Sequence, residues 1–523
     1  MSGQSISFKE QMAGFPWAQV IVIAFVRFAE PIAFSSLFTY VYFMIKDFDI
    51  AKDDAEISKY SGYLASAFAF CQVLTSFRWG RLADRIGRKP VLVIGLTGTT
   101  ISLLMFGFAK NYYWALLARC FMGLLNGNVG VIRTCLGEIA KEEKNQSLVF
   151  ATMPLVYQIG AVFGPLIGGN LSGRETRFDF LRPLVTKFPY ALPNIFAAIF
   201  LTFSMLIALF FLEETHWEYK YRHDYFVDIS DEALFRLFGK EKVQRPWRRS
   251  EPLETEEGLL ADDNSSIVTN IDDEDLISEV GTPRTRIHLQ DTEPEEKDEL
   301  TYRDLLEPQI FFGILCVFIS AIHQTVYNEF TPVFLSQNIV RDDDGNLASR
   351  FPFKIVGGLG YTSKDTGTLL SSTGFTGAIA VVLLLPYVTR NFKTLQIYRT
   401  CILGFPVLYF IIPYLVFLGD NIPLSKVAAY LISASRALLL AMSIPQIQVT
   451  INNSAPKKHR AFVNGATVST ASAARCGGPL IWGYIFAWGQ RLEIAWLGWW
   501  TLVLMSMMTI VMSRKIRDAS VIV

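Results

Sequence analysis

Arg78-Trp79-Gly80-Arg81-Leu82-Ala83-Asp84-Arg85-Ile86-Gly87-Arg88-Lys89 places five cations and one carboxylate between two apolar blocks, 59–79 and 91–109. Each block is about 20 residues long, the length a helix needs to cross the hydrocarbon core of a bilayer. A dense basic turn between two such blocks is a loop joining consecutive membrane crossings, held on the cytoplasmic side by its Lys and Arg content.

The same alternation extends outward in both directions. Spans are expected at 17–45, 59–79, 91–109, 114–136, 148–171 and 191–212, and again at 309–336, 363–388, 395–418, 425–450, 462–488 and 494–513. Of 523 residues 51% are apolar, 41 are Phe, and only 18% are charged, against about 25% in an average soluble chain. The fold class is therefore an all-α membrane protein of twelve transmembrane helices, and a water-soluble protein is excluded.

Six spans followed by six point to an internal repeat. Gly164-Pro165-Leu166-Ile167-Gly168 returns as Gly478-Pro479-Leu480-Ile481-Trp482-Gly483, Arg119 as Arg436, and Glu30-Pro31 more loosely as Glu329 and Pro332. The matches fall in order, so residues 1–212 and 308–523 are expected as two six-helix pseudo-repeat halves. The short basic stretches KKHR at 457–460 and RKIR at 514–517 share a side with the 78–89 loop, which makes both termini cytoplasmic. The opening residues lack a signal peptide's cationic start and cleavage box, so insertion is expected to begin with the first span.

The interval 213–307 is expected as a cytoplasmic central loop. Residues 229–239 read as a short amphipathic helix capped by Ser230 and ended by Gly239. Residues 251–300 hold 17 acidic against 3 basic residues and no aromatic, too little apolar surface to offset chain entropy, and are expected to be disordered. Thr282-Pro283 and Asp272…Leu276-Ile277 fit a phosphorylation and an acidic dileucine sorting pattern. The six cysteines lie in or beside apolar blocks without paired spacing. They read as small buried hydrophobes rather than a disulfide framework or metal site.

Gly80 through Lys89 resembles the signature of the major facilitator superfamily, Gly-x-Leu-Ala-Asp-Arg-x-Gly-Arg-Lys, at every specified position. The resemblance implies a conformational latch made of Gly80, Asp84, Arg85, Gly87 and Arg88, with Glu138 completing a charge relay to Asp84 and Arg88. Glycines at 80 and 87 are expected to permit a tight reversal and close helix approach. Gly160, Gly164, Pro165, Gly168 and Gly169 in the fifth span resemble the motif of the superfamily's antiporter branches. Read from the residues alone, small groups one turn apart allow helix backbones to touch, and Pro165 removes an internal hydrogen bond. Arg119 and Gly123, and more loosely Gly127, match the family's fourth-span motif, which implies an arginine in the cavity near the first span.

Charged groups inside spans are costly and point to function. Glu30 lies about 13 residues into the first span, roughly 20 Å deep at 1.5 Å per residue. A carboxylate there is either protonated or paired with an arginine. Arg119 is the partner that the resemblance implies. Glu30, Arg119 and Glu329 are accordingly expected as proton-coupling residues, the alternative being a permanent ion pair between spans. Arg27, Gln72, Asn126, Tyr157, Gln158, His323, Gln324, Asn328, Arg436 and Gln446 are expected around a substrate cavity. Polar groups of this kind also serve as interhelical hydrogen bonds, and His323 as packing.

Within the superfamily the chain is similar to the twelve-span drug:proton antiporters and to fungal relatives of the zinc-induced facilitator-like group, without the Cys-rich and His-rich loops of that group's plant members. The resemblance implies alternating access with proton-coupled antiport of a drug or metabolite, in the vacuolar or plasma membrane. A proton-independent facilitator, or a symporter of a metabolite or metal chelate, is the alternative. No HxxxxD, nucleophile elbow or metal-spaced cluster supports a membrane enzyme, and duplicated spans disfavour a receptor. The expected partners are a small-molecule substrate, a proton and the lipid bilayer. No nucleic acid, cofactor or metal is expected, and the chain reads as a monomer.

Overall fold

The computed structural model describes residues 15–140, 143–174, 179–239, 245, 247, 307–455 and 460–517. The acidic stretch 251–300 and the two short motifs in it lie outside the described residues.

The described residues form twelve long helical spans. The first is Trp17–Ser36, prolonged by Leu37–Thr39 and Val41–Asp47. Asp54–Ile86, Arg88–Gly107, Tyr112–Leu125 with Asn128–Ile139, Glu143–Leu171 and Ala191–Phe211 follow. The later six are Pro308–Ser336, Ser363–Asn391, Thr394–Leu418, Ile422–Ser454, Arg460–Arg491 and Trp496–Ser513. Nine of them are long and apolar enough to cross a membrane on hydropathy alone. The second, fifth and eleventh are not, although they run to 33, 29 and 32 residues. Their position explains it. The second packs along the eleventh and the fifth along the eighth, the two most extensive helix pairings in the protein, so much of their surface meets another helix rather than lipid.

The sixth span shows how a helix serves lipid and protein at once. Phe196, Ile199, Phe203 and Leu206 form an exposed stripe, while Ala197, Ala198, Leu201, Ser204 and Ala208 are buried. Large side chains face the lipid and small ones let the helices approach. Each sequence half keeps its own apolar core. One is centred on Val26, Leu96, Cys135 and Leu201, the other on Phe330, Tyr398, Phe405 and Trp499.

The stretch that begins at Gly80 is helical through Ile86, not a loop, because Arg-Leu-Ala-Asp-Arg continues the second span. Gly87 alone makes the reversal, at φ +102°, a conformation that side chains with a Cβ rarely adopt. Gly80 makes no close helix approach, since nothing lies within 4 Å of where its Cβ would be. The connecting helix also begins earlier than expected. It runs Tyr225–Phe238, capped by Asp224, which accepts from the amides of Phe226 and Val227, and ends at left-handed Gly239. Ser230 is interior to it and donates to the Phe210 and Val227 carbonyls.

At the end of the bundle opposite the 80–89 reversal, here the far end, the halves meet closely. Gly62 abuts the Pro479 carbonyl, Gly483 lies against Ser58 and Lys59, and Gly169 faces Gly367 backbone to backbone. Tyr63 and Tyr484 share a hydrogen bond. Arg491 bridges Asp53 at 3.1 Å and Glu56 at 3.0 Å, and Asn338 donates to Asp54 at 2.9 Å. Every hydrogen bond and ion pair recorded between the halves among the described residues belongs to this end.

Candidate functional site

At the motif end the charged groups bond within the first half and its connecting segment. Arg88 donates to Asp84 at 2.7 Å and to Glu138 at 3.0 Å, while Glu138 accepts from the Thr215 hydroxyl at 2.5 Å. Glu214 accepts from the amides of Arg88 and Lys89, covering the face that a Cβ at Gly87 would fill. Lys89 reaches Asp224 at 2.5 Å, tying the connecting helix to the reversal, and Tyr219 donates to the Arg85 carbonyl. Asp84 and Glu138 are thus joined through the Arg88 guanidinium. Asp84 is 68% exposed, with Arg88 as its recorded partner and no recorded bond to the second half.

The fifth-span glycines divide their contacts. Gly160, Gly164 and Gly168 lie against Phe28, Pro31, Ile32 and Ser36 of the first span, and Gly169 against the eighth. Pro165 has no N–H to offer the carbonyl of Ala161, and that carbonyl lies against Gly374 of the eighth span.

Glu30 is not paired with Arg119. Arg27, three residues earlier on the same helical face, donates to one of its oxygens, and Asn126 donates to the other at 2.7 Å. Asn126 is free to do so because the fourth span breaks between Leu125 and Asn128, where Gly127 packs against the Trp79 ring. The Arg27 guanidinium also lies 5.8 Å from the ring of Tyr157.

Arg119 is 1% exposed. It donates to the Leu64 carbonyl, contacts Met122 Sδ, and sits over the rings of Phe68 at 4.8 Å and Phe34 at 5.9 Å, one terminal nitrogen lacking a partner. The carboxyl within electrostatic range of it is Glu329 of the seventh span, itself 5% exposed. The two come from opposite halves at matching depth. Arg119 is seven residues from the start of its helix and Glu329 seven from the end of its own, each roughly 10 Å from the far end.

His323 belongs to the second-half core: Nδ1 bonds the Tyr409 hydroxyl at 2.8 Å and the ring packs on Phe405. Arg436, the repeat partner of Arg119, is buried over Tyr327 at 3.7 Å and donates to the Gln324 carbonyl. Gln446 is buried, while Gln72, Gln158, Gln324 and Asn328 are half-buried, Gln158 beside Gly377 of the eighth span. Arg133 and Arg475 are two span arginines that the sequence expectations for the cavity do not name. Arg133, in the second piece of the fourth span, is exposed and within electrostatic range of Arg27 and Arg475. Its signal was plain, an arginine inside an apolar block. A separate groove of about 590 Å³ is lined mostly by apolar side chains, Ile101, Leu104, Met105, Phe108 and Trp114, together with Lys110 and Asn111.

The model of the family described as Major Facilitator Superfamily matches residues 23–479. A multidrug transporter of that superfamily from Aspergillus fumigatus is 34% identical over 516 residues, covering 94% of this chain and 82% of that one. The Arabidopsis thaliana protein ZINC INDUCED FACILITATOR-LIKE 1 is 26% identical over 93% of this chain and 87% of its own. Among solved structures, a D-xylose–proton symporter superposes with a TM-score of 0.63 at 11% identity, over 97% of this chain and 99% of that one, a likeness of fold.

Proposed function

The chain belongs to the Major Facilitator Superfamily, as a multi-pass membrane transporter, and from that premise we propose that it exports a small molecule by proton-coupled antiport. With the basic 78–89 stretch cytoplasmic, both termini are cytoplasmic as well. The far end then faces the vacuolar lumen or the cell exterior. Residues 1–212 and 308–523 act as the two rocking halves, with 213–307 as a cytoplasmic tether. The Aspergillus fumigatus relative, named a multidrug transporter, supports efflux as the direction.

In this reading the structure is the state closed at the far end and open to the cytoplasm. The single observation that carries proton coupling is Glu329. Its carboxyl is buried on the seventh span at the seam that must open, facing Arg119 of the other half across electrostatic range. Parting the seam hydrates both groups. A carboxyl whose burial changes between two states binds protons differently in them, which links proton binding to the direction the cavity faces. Glu30, held by Arg27 and Asn126, serves instead as a fixed ion pair that shapes the cavity wall.

The test uses inside-out vesicles from cells overproducing the protein, with an acidified lumen and a panel of labelled drugs and metabolites. Uptake above that of control vesicles that collapses when the pH gradient is dissipated supports antiport. Uptake indifferent to the gradient gives the facilitator reading instead.

A further inference from the structure

The charges around the cavity are unequal. Arg133 on the fourth span lies within electrostatic range of Arg27 on the first and Arg475 on the eleventh, and Arg475 within range of Arg27 and of Glu30 on the first. Arg133 and Arg475 come from opposite halves, so groups that sense each other must face the space between the halves. Both are exposed rather than buried in helix contacts. Glu30 is the carboxylate of this group, and it is already engaged by Arg27 and Asn126. Arg475 is left with the Ser472 hydroxyl at 2.9 Å, and among the described residues Arg133 has no carboxylate at contact distance. Arg27 Nε and Asn126 Oδ1 are buried without hydrogen-bond partners.

Three guanidinium groups against one carboxylate leave an excess of two positive charges inside a membrane protein, where an uncompensated charge is costly. Guanidinium presents a planar fork of N–H donors matched to carboxylate and phosphate oxygens. Arg475 lies 15 residues from the start of its 32-residue helix, near mid-depth, while Arg133 lies six residues from the end of its helix on the motif side. The pair therefore lines the route from the open end to the middle.

We propose that the transported solute carries an anionic oxygen group, a carboxylate or a phosphate, which binds between Arg133 and Arg475, with Tyr157 beside Arg27 as the adjoining wall. This rests on the transporter reading and names the substrate class of its cavity. Glu30 sets the charge of the guest by neutralising one of the three arginines.

The test is binding alone, so its failure leaves alternating access and proton coupling untouched. Full-length protein in nanodiscs is titrated calorimetrically with succinate, inorganic phosphate and tetraphenylphosphonium, the first two distinguishing carboxylate from phosphate recognition. Saturable binding of at least one anion is expected, with weaker or no binding of the cation. Arg475→Gln and Arg133→Gln should each weaken the anion roughly tenfold, the loss of one charge-assisted contact, and Arg475→Lys should restore most of it. Retained gel-filtration behaviour shows that the variants fold. Preference for the cation, saturable binding of neither anion, or wild-type anion affinity in both glutamine variants overturns the proposal.

Discussion

Gly367→Ala drives a wedge into the far-end seam. A Cβ at Gly367 would lie 2.9 Å from Gly169 Cα and against the Pro165 carbonyl. These are backbone atoms of the fifth span and cannot rotate away. Ordinary carbon contact is 3.5–4.0 Å, so the two helices must part by roughly 0.6 Å or more. Inserting a methyl into a packed interface costs about 1–3 kcal/mol. Here the cost falls on the far-end-closed state alone, because the fifth and eighth spans separate when that end opens. The closed-to-open ratio should therefore fall by roughly 5- to 150-fold. The assay is alkylation of Lys59→Cys by an impermeant maleimide added from the far side, in a background lacking the six native cysteines. Lys59 lies in the seam, over the Tyr63 and Tyr484 rings. Alkylation should accelerate in Gly367→Ala and stay unchanged in Gly465→Ala, where an added Cβ meets nothing within 4 Å. Wild-type labelling rates in Gly367→Ala would refute the closed seam.

Other outcomes follow from the same contacts. Asp84→Asn should leave folding stability within about 1 kcal/mol, since Asp84 is exposed and the buried Arg88 keeps Glu138 as its partner, yet slow turnover by removing the acceptor needed when the motif end closes; thermal unfolding and vesicle flux measure the two. Asp231→Ala should release the connecting helix, because Arg245, which donates to Asp231 at 2.7 Å and also pairs with Glu213, would be left half-paired in a buried site. The expected penalty of about 3 kcal/mol should appear as faster limited proteolysis near residue 245. Glu30→Gln should preserve gradient-driven transport while tightening the binding of an anionic substrate, because Arg27 loses its carboxylate partner, a change in KM with gradient coupling kept that a proton-carrying Glu30 would not give.

The sequence made the twelve spans legible because lipid demands long apolar blocks and the loops between them concentrate charge. It also singled out Asp84 and Glu138, which Arg88 joins, and the fifth-span glycines, which pack against the first and eighth spans. Pairings inside the bundle were harder. Arg119 was expected beside Glu30, yet Arg27 stands one helical turn from that carboxylate, where i,i+3 neighbours meet without help from tertiary structure. Arg119 could not be matched with Glu329 from sequence, because they come within electrostatic range only across the halves and only the packing fixes which faces oppose. Ser230 looked like a cap, but Asp224, six residues earlier, both caps the helix and binds Lys89. Gly62 and Gly367, which let the seam close, carry no motif that marks them.

The central claim, that protonation of a seam carboxyl sets which way the cavity faces, is tested most directly by distances at both ends of the bundle as pH is stepped. Spin labels at Trp217→Cys with Asn391→Cys report the motif end, and labels at Lys187→Cys with Glu493→Cys report the far end. A neutral carboxyl costs less to bury than a carboxylate, so acidification should shorten the far-end distance and lengthen the motif-end one together. Glu329→Gln should show the acid distribution at every pH. Distances that ignore pH in the wild type, or a Glu329→Gln variant that responds as the wild type does, would contradict it.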